Sequence, residues 1–551
     1  MRIRVPYVVL ALALSACAPR QWPATEPAPA PTPAPAPTPT PAPNEPVVRE
    51  APDNWHLLDA AADGFEGISL LRAERELLTG RAPARIVVVA VIDNGVDTAH
   101  AKLRPQLWKN PRETPANDRD DDNNGYADDV YGWNLIGGPD GRNVSQDTYE
   151  VTRLVAQCGR PAGRDSLRAD LRERCGQFAA ELQEKRTNVE QTLQNINQIE
   201  ALLAQVVPYL KRVMRTDTLT AAKVQALQAT NDTVRQARGI YLQIASMGID
   251  DEELADAKKA YQSQLRYGYN TSFDPRAIVG DRYPDPSVRR YGNEDVTGPE
   301  PLHGTHVAGI IGALDSLGVK GIARNVRIMA LRAVPDGDER DKDIANAIRY
   351  AADNGAHIIN MSFGKAHSPF KAEVDAAVKY ADSKGVLMIH AAGNEGADMA
   401  ATSSFPTPAY IDGSGRARNW IEVGATSWRG RDSLVAGFSN WGKGVVDIFA
   451  PGDDIKSTAP GGTYKKESGT SMASPVVAGV AALVMSYYPT LTAADVKNII
   501  LESATKLPDR QVVRPGEGGQ TVPFSELSAT GGIVNAFNAL KRAEEVARVR
   551  P

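Results

Sequence analysis

Ile86-Val87-Val88-Val89-Ala90-Val91-Ile92 runs without a polar residue into Asp93-Asn94-Gly95. A run this short and this rich in β-branched residues suits a parallel strand covered on both faces, and Gly95 marks the turn that follows. Five further runs share its texture: VRIMALRAV at 326–334, HIINMSFG at 357–364, VLMIHAAGNEG at 386–396, WIEVGA at 420–425 and VVDIFAPG at 445–452. Helical patterns such as DKDIANAIRYAADNG and PFKAEVDAAVKYADSKG separate them. Alternating strands and helices predict βαβ units and an α/β fold with a doubly wound, mainly parallel sheet. Open sheets of this kind collect functional groups beyond the carboxyl ends of their strands. Three runs end there in polar residues without an obvious packing role, namely Asp93, the turn Ser362-Phe363-Gly364, and Asn394 after Ala391-Ala392-Gly393.

The chain has 551 residues, 42% hydrophobic and 23% charged. Those proportions exclude a wholly disordered, collagenous or polytopic membrane protein. A net charge of −5 gives no reason to expect a nucleic-acid partner. Near the start, Arg2 and Arg4 precede an apolar run from Val5 to Ala13 and then Leu14-Ser15-Ala16-Cys17. This is the layout of a secretory signal, too short for a retained transmembrane helix. The LSAC ending resembles a bacterial lipobox. It implies removal of residues 1–16, lipidation of Cys17, attachment to a bilayer and, with Ala18 next, the outer membrane. Proline at every second position from Pro27 to Pro43 makes residues 17–47 an extended tether rather than a core, reaching up to ~90 Å at ~3.1 Å per residue.

Between 149 and 268 the β-branched runs vanish, and the stretch reads as a helical insertion that divides the α/β domain into 48–148 and 269–545. Leu182, Val189, Ile196, Leu203 and Leu210 recur every seven residues, with Leu193, Val207 and Met214 in a second register. Such a seam needs a partner. Helical patterns starting near Thr218 and Asp251 are expected to fold back and supply it, and Pro208 is expected to kink the long helix.

Two further segments carry chemistry. His303-Gly304-Thr305-His306-Val307-Ala308-Gly309 begins one helix. Gly469-Thr470-Ser471-Met472-Ala473-Ser474-Pro475 begins another that is apolar nearly all round and therefore buried, with Pro475 expected in its first turn. Ser471 then sits where unpaired backbone donors favour a developing anion, although serine there could equally be a plain cap. Together, AVIDNGVD, HGTHVAG, AAGNEG and GTSMASP resemble the aspartate, histidine, oxyanion and nucleophile motifs of the subtilisin-like serine proteases, with Asp, His and Ser in that family's order.

The resemblance implies Ser471 as nucleophile, His303 as general base and then acid, Asp93 as its orienting partner, and Asn394 with the Ser471 N–H as oxyanion donors. It further implies that Ser362 to Gly364 and Ala391 to Gly393 pair with extended protein or peptide substrates. His306 would be a structural histidine. Lys102 stands where many members place a calcium-binding aspartate.

A different calcium loop is expected at Asp118 to Asp129, whose D-x-D-x-N-G spacing offers Asp120, Asp122, Asn124, Tyr126 and Asp128. In an oxidising compartment Cys158 and Cys175, the latter expected some ten residues into the long helix, are disulfide candidates. The rival to an active endopeptidase is an inactive surface scaffold that binds through the helical insertion. Nothing in the sequence reads out an oligomeric state.

Overall fold

The computed structural model describes residues 50–246, 251–283, 285–516 and 518–549. The predicted signal, Cys17 and the proline-rich tether lie outside the described residues. Two compact units are present: Glu50–Phe178 together with the chain from Thr271 onward, and Ala179–Asn270.

The apolar runs become strands of one nine-stranded sheet in the larger unit. They are β1 (Val87–Asp93), β3 (Val326–Arg332), β4 (Ile358–Met361), β5 (Leu387–Ala391), β6 (Trp420–Thr426) and β7 (Ile448–Pro451), and β2 (Gly132–Asn134), which no apolar run announced, joins them. Short strands Thr505–Lys506 and Gly532–Ile533 extend one edge, and their mutual pairing is antiparallel while every other pairing is parallel. From that edge the order is Thr505–Lys506, Gly532–Ile533, β7, β6, β5, β4, β1, β3, β2. The winding reverses at β1, which pairs with β3 on one side and β4 on the other. Asp93 and Ser362 therefore emerge side by side at the switch point, where a doubly wound sheet opens a crevice.

Side chains alternate across β1. Val87, Val89 and Val91 join the core beneath the helices Leu302–Gly312 and Thr470–Tyr487. Ala90 and Ile92 join the opposite core under Asp341–Asp353 and Lys371–Ser383. Every residue from Met472 to Ser486 is buried, as an all-round apolar helix requires. Thr470–Tyr487 is also the one helix among the described residues long and apolar enough to cross a membrane, and here it is the central helix of a protein core.

Pro475 lies at the sixth residue of that helix, beyond the first turn where the sequence placed it. Its missing N–H leaves the Ser471 carbonyl without the usual i+4 donor. The Ser362 hydroxyl fills the gap, donating to Ser471 O at 2.9 Å.

In the smaller unit the long helix Cys175–Met214 continues through Pro208, so the expected kink does not end it. Val206, Tyr209 and Leu210 pack with Val224, Val234 and Ala237, and Ile196 and Ile199 with Ile244, Leu254 and Ala257. The later helices, Asp232–Ala245 and Asp251–Ser263, thus cover the seam from within the chain. The helices from Glu150 to Phe178 belong instead to the sheet-bearing unit. Cys158 and Cys175 are joined as a disulfide, with Cys175 opening the long helix rather than lying ten residues inside it. Leu167 and Arg168 are extended and break the helical path before it.

Candidate active site

Asp93 ends β1 almost fully buried, and its Oδ1 meets His303 Nδ1 at 2.7 Å. The contact depends on how closely the Leu302–Gly312 helix approaches the strand. A Cβ at Gly304 would lie 2.2 Å from Gly95 O and 3.0 Å from Asp93 Cβ, so glycine is required there. Asn94 locks the same corner, accepting from Gly304 N at 2.9 Å and donating to Glu300 O at 2.7 Å. Arg332, buried at the end of β3, donates to Asn94 O at 2.9 Å. Neither Asn94 nor Arg332 stands out as a site residue in the sequence, although an arginine within an apolar run is itself a signal.

His306, one turn further along, is fully buried. Burial pushes its pKa down to about 3, so it is neutral, and its Nε2 donates to Lys465 O at 3.0 Å. It ties the helix to the hairpin strand Thr463–Glu467 and makes no hydrogen bond to Asp93 or Ser471.

Ser471 is the second residue of its helix, and its N–H has no intrahelical acceptor. Its hydroxyl donates to Ser362 O at 3.1 Å, and no Ser471–His303 hydrogen bond is formed among the described residues. The helix start is pinned from below. Ser474 Oγ donates to Asn360 Oδ1 at 2.9 Å, and Asn360 Nδ2 donates to Ser362 Oγ at 2.9 Å, all three residues being buried. This chain of bonds joins β4 to the helix that carries Ser471. Its sequence signal is a lone asparagine in HIINMSFG.

Asn394 follows β5. Its Oδ1 accepts from Thr470 N at 2.8 Å and Thr470 Oγ1 at 3.1 Å, which fixes the amide orientation and leaves Nδ2 unengaged among the described residues. Thr470 Oγ1 in turn accepts from Gly393 N at 3.1 Å. Asn440 holds the rest of the loop, donating to Ala392 O at 2.8 Å and accepting from Glu395 N and Ala397 N. Ala391 and Ala392 are buried, and Gly393 has φ +106 with Asn440 Nδ2 only 2.4 Å from where a Cβ would stand. Gly364 faces Ser404 Oγ, 2.3 Å from its ideal Cβ position, and Phe363 packs edge-on to His390.

The acidic loop is arranged differently from the expected ligand set. Glu113, Asp120 and Asp122 present oxygens within 4.8 Å of one another. Backbone N–H groups of Asn124 and Gly125 donate to Asp120, and those of Asp121, Asp122 and Asp128 to Glu113. Lone pairs remain on these oxygens, and three carboxylates so close together suit a hard divalent cation. Asp128 is not among these converging carboxylates, and its two oxygens accept from Asn117 N and Asp118 N. Asn124 spends its amide on Tyr126 N and Asp129, and the Tyr126 ring packs on Trp133 and Tyr350.

Residues 84–518 match the Subtilase family. Subtilisin BL of Lederbergia lenta is 42% identical over 207 residues, 37% of this chain and 71% of that protein. Subtilisin DY of Bacillus licheniformis is 40% identical over 211 residues, 38% of this chain and 72% of that one. Among solved structures, a cold adapted subtilisin-like serine proteinase is 32% identical, covering 43% of this chain and 77% of that one with a TM-score of 0.34. The fold and site define a serine hydrolase of the α/β class. The chain belongs to the subtilase family of serine proteases.

Proposed function

We propose that this chain is an active endopeptidase for extended or unfolded protein segments, working through Asp93, His303 and Ser471. The observation that carries this is the 2.7 Å bond from His303 Nδ1 to Asp93, which leaves Nε2 free to act as a base. The reaction starts when Ser471 Oγ turns from Ser362 O to His303 Nε2, a contact of the kind that tightens once substrate is bound. Oγ attacks the scissile carbonyl while its proton passes to Nε2, and Asp93 steadies the imidazolium. The oxyanion takes hydrogen bonds from Asn394 Nδ2 and Ser471 N–H. His303 then returns the proton to the leaving amine, and water releases the acyl group by the same path. Ser362 to Gly364 and Ala391 to Gly393 flank the substrate and pair with its backbone.

Labelling of Ser471 by a fluorophosphonate, lost in Ser471→Ala, tests the reading. Hydrolysis should fall by a factor of about 10⁴ or more, since nucleophile and base act as one unit. An unlabelled wild-type protein would favour the inactive scaffold.

Membrane attachment through a lipid on Cys17 is the reading that the LSAC sequence and the proline-rich tether support, with the outer membrane favoured by Ala18. Cys17→Ser should release the protein from membranes, and unchanged retention would refute the anchor. Calcium, if held, would sit on Glu113, Asp120 and Asp122 and stabilise the fold without entering the chemistry.

A further inference from the structure

The edge Ser362-Phe363-Gly364 is held at both ends. At one end Ser362 exchanges hydrogen bonds with Ser471. At the other stands Lys365, whose N–H donates to Phe405 O at 3.1 Å while its carbonyl accepts from Phe405 N at 2.8 Å. Its side chain is 2% exposed, and the ammonium is shared by Glu150 Oε2 at 2.7 Å, Asp341 Oδ1 at 2.8 Å and Glu339 O at 2.8 Å.

Glu150 is the first residue of the helix Glu150–Cys158, on the segment that leads into the helical insertion. Its backbone N–H donates to Asp338 Oδ2 at 2.8 Å. Arg153, on the same helix, takes the Glu150 carboxylate in a fork at 2.7 and 3.3 Å. It also donates to Asp338 O at 3.1 Å, to Glu339 O at 3.3 Å and to Thr148 O. Further along the same segment, Arg168 donates to Pro369 O, and Phe178 packs edge-on to His367.

We propose that Glu150 and Arg153 are positioning residues for the edge Ser362–Gly364, so that recognition of extended substrate depends on the segment leading into the insertion. This rests on the reading of that edge as substrate-pairing.

Charge balance shows why the clamp is stiff. Arg153, Arg340 and Lys365 face Asp147, Glu150, Asp338, Glu339 and Asp341. Burial, the largest influence on Asp338 and Glu339, shifts the pKa of both upward. Glu150 pairs with two of these three cations, Arg153 and Lys365. Removing its charge takes the forked partner from Arg153 and one of two carboxylates from Lys365, and breaking a buried ion pair from one side is the costly way to do it. The edge must then shift. A strand that pairs with several substrate residues transmits such a shift to long substrates and spares a substrate that occupies only the position beside Ser471.

The test uses the full chain with Glu150→Gln. It compares a tetrapeptide amide with a single-residue ester, alongside fluorophosphonate inactivation. For the tetrapeptide kcat/KM should fall about ten- to a hundredfold, mainly through KM, the scale of effect that sub-ångström to ångström misplacement produces. Ester hydrolysis and inactivation should be unchanged. Arg153→Lys, which keeps the cation but loses the fork, should shift the same ratio less, and it decides the matter if Glu150→Gln does not fold. Equal losses on both substrates, or no change in the tetrapeptide constants, would overturn the proposal. A wild-type chain inert to ester and fluorophosphonate would instead overturn the peptidase reading on which it rests.

Discussion

The catalytic corner and the acidic loop are both dense in polar side chains, yet they are held together in opposite ways. At the corner the partners are remote in sequence: His303 with Asp93, Ser362 with Ser471, and Asn360 with Ser474 are each separated by more than a hundred residues. In the loop, Glu113, Asp120 and Asp128 bond to backbone amides within fifteen residues, and long-range ties come from Tyr350 on Asp129 and from Tyr126 on Arg289 O. Remote partners preorganise a site, because the whole fold must move before any one group does. Local partners only shape a turn, which a bound cation could complete.

That contrast can be broken by single substitutions. The largest effect after loss of the nucleophile is expected from Asn394→Ala, which removes a donor aimed by Thr470. Turnover should drop by about 10²–10³, a magnitude carried over from subtilisin itself. A change confined to KM would show that Nδ2 does not serve the oxyanion.

Next comes the gap that Pro475 leaves in the nucleophile's helix. Ser362→Ala should strip the Ser471 carbonyl of its donor and cost about 1 kcal/mol, the net worth of a typical hydrogen bond. Pro475→Ala supplies an N–H in the usual i+4 position, so the Ser362→Ala change should cost less in that background. Equal costs in the two backgrounds, from denaturant melts of the four proteins, would separate the hydroxyl from the proline.

How much of this is legible in the sequence depends on the same contrast. The strands can be read because β1, β4 and β5 announce themselves in consecutive residues. The triad can be read because each member lies in a short motif whose glycines, such as Gly304, are needed for close approach. Asn94, Arg332, Asn360, Thr470 and Asn440 do not read as site residues, because each works through one partner that only the folded sheet brings near. The place of Pro475 and the start of the long helix at Cys175 escape the sequence for a related reason. Helix boundaries follow from groups remote in sequence, here Asn394 Oδ1 on the Thr470 N–H, and from breaks such as the extended Leu167. The spacing D-x-D-x-N-G announces a turn but not which oxygens converge: Asp120 and Asp122 stand beside Glu113, which lies outside the motif.

A smaller effect is expected from the buried charges beside the cleft. Burial, against the pull of Lys365, pushes Glu339 up to about 8 from its ordinary 4.5. Its folded state keeps a proton that the unfolded chain releases, so between those values the native state binds more protons and stability falls as pH rises. Glu339→Gln, which keeps the neutral shape, should flatten that decline. Melting temperatures that fall equally across the range in both proteins would assign the decline elsewhere.

The acidic loop lies outside the catalytic chemistry, and its response separates the two ligand sets. A cation that binds only the folded chain raises stability by mass action, about 2.7 kcal/mol when present at a hundred times its dissociation constant. If Glu113, Asp120 and Asp122 hold calcium, Asp120→Asn should abolish a calcium-dependent rise in melting temperature. Asp128→Asn should leave the rise intact while lowering the baseline, since Asp128 caps the amides of Asn117 and Asp118 whether or not metal is present. Loss of the rise in Asp128→Asn alone would restore the ligand set read from the spacing. No rise in the wild-type chain would leave the cluster as a turn held by its own backbone, with Arg112, 3.0 Å from Asp122, as its source of positive charge.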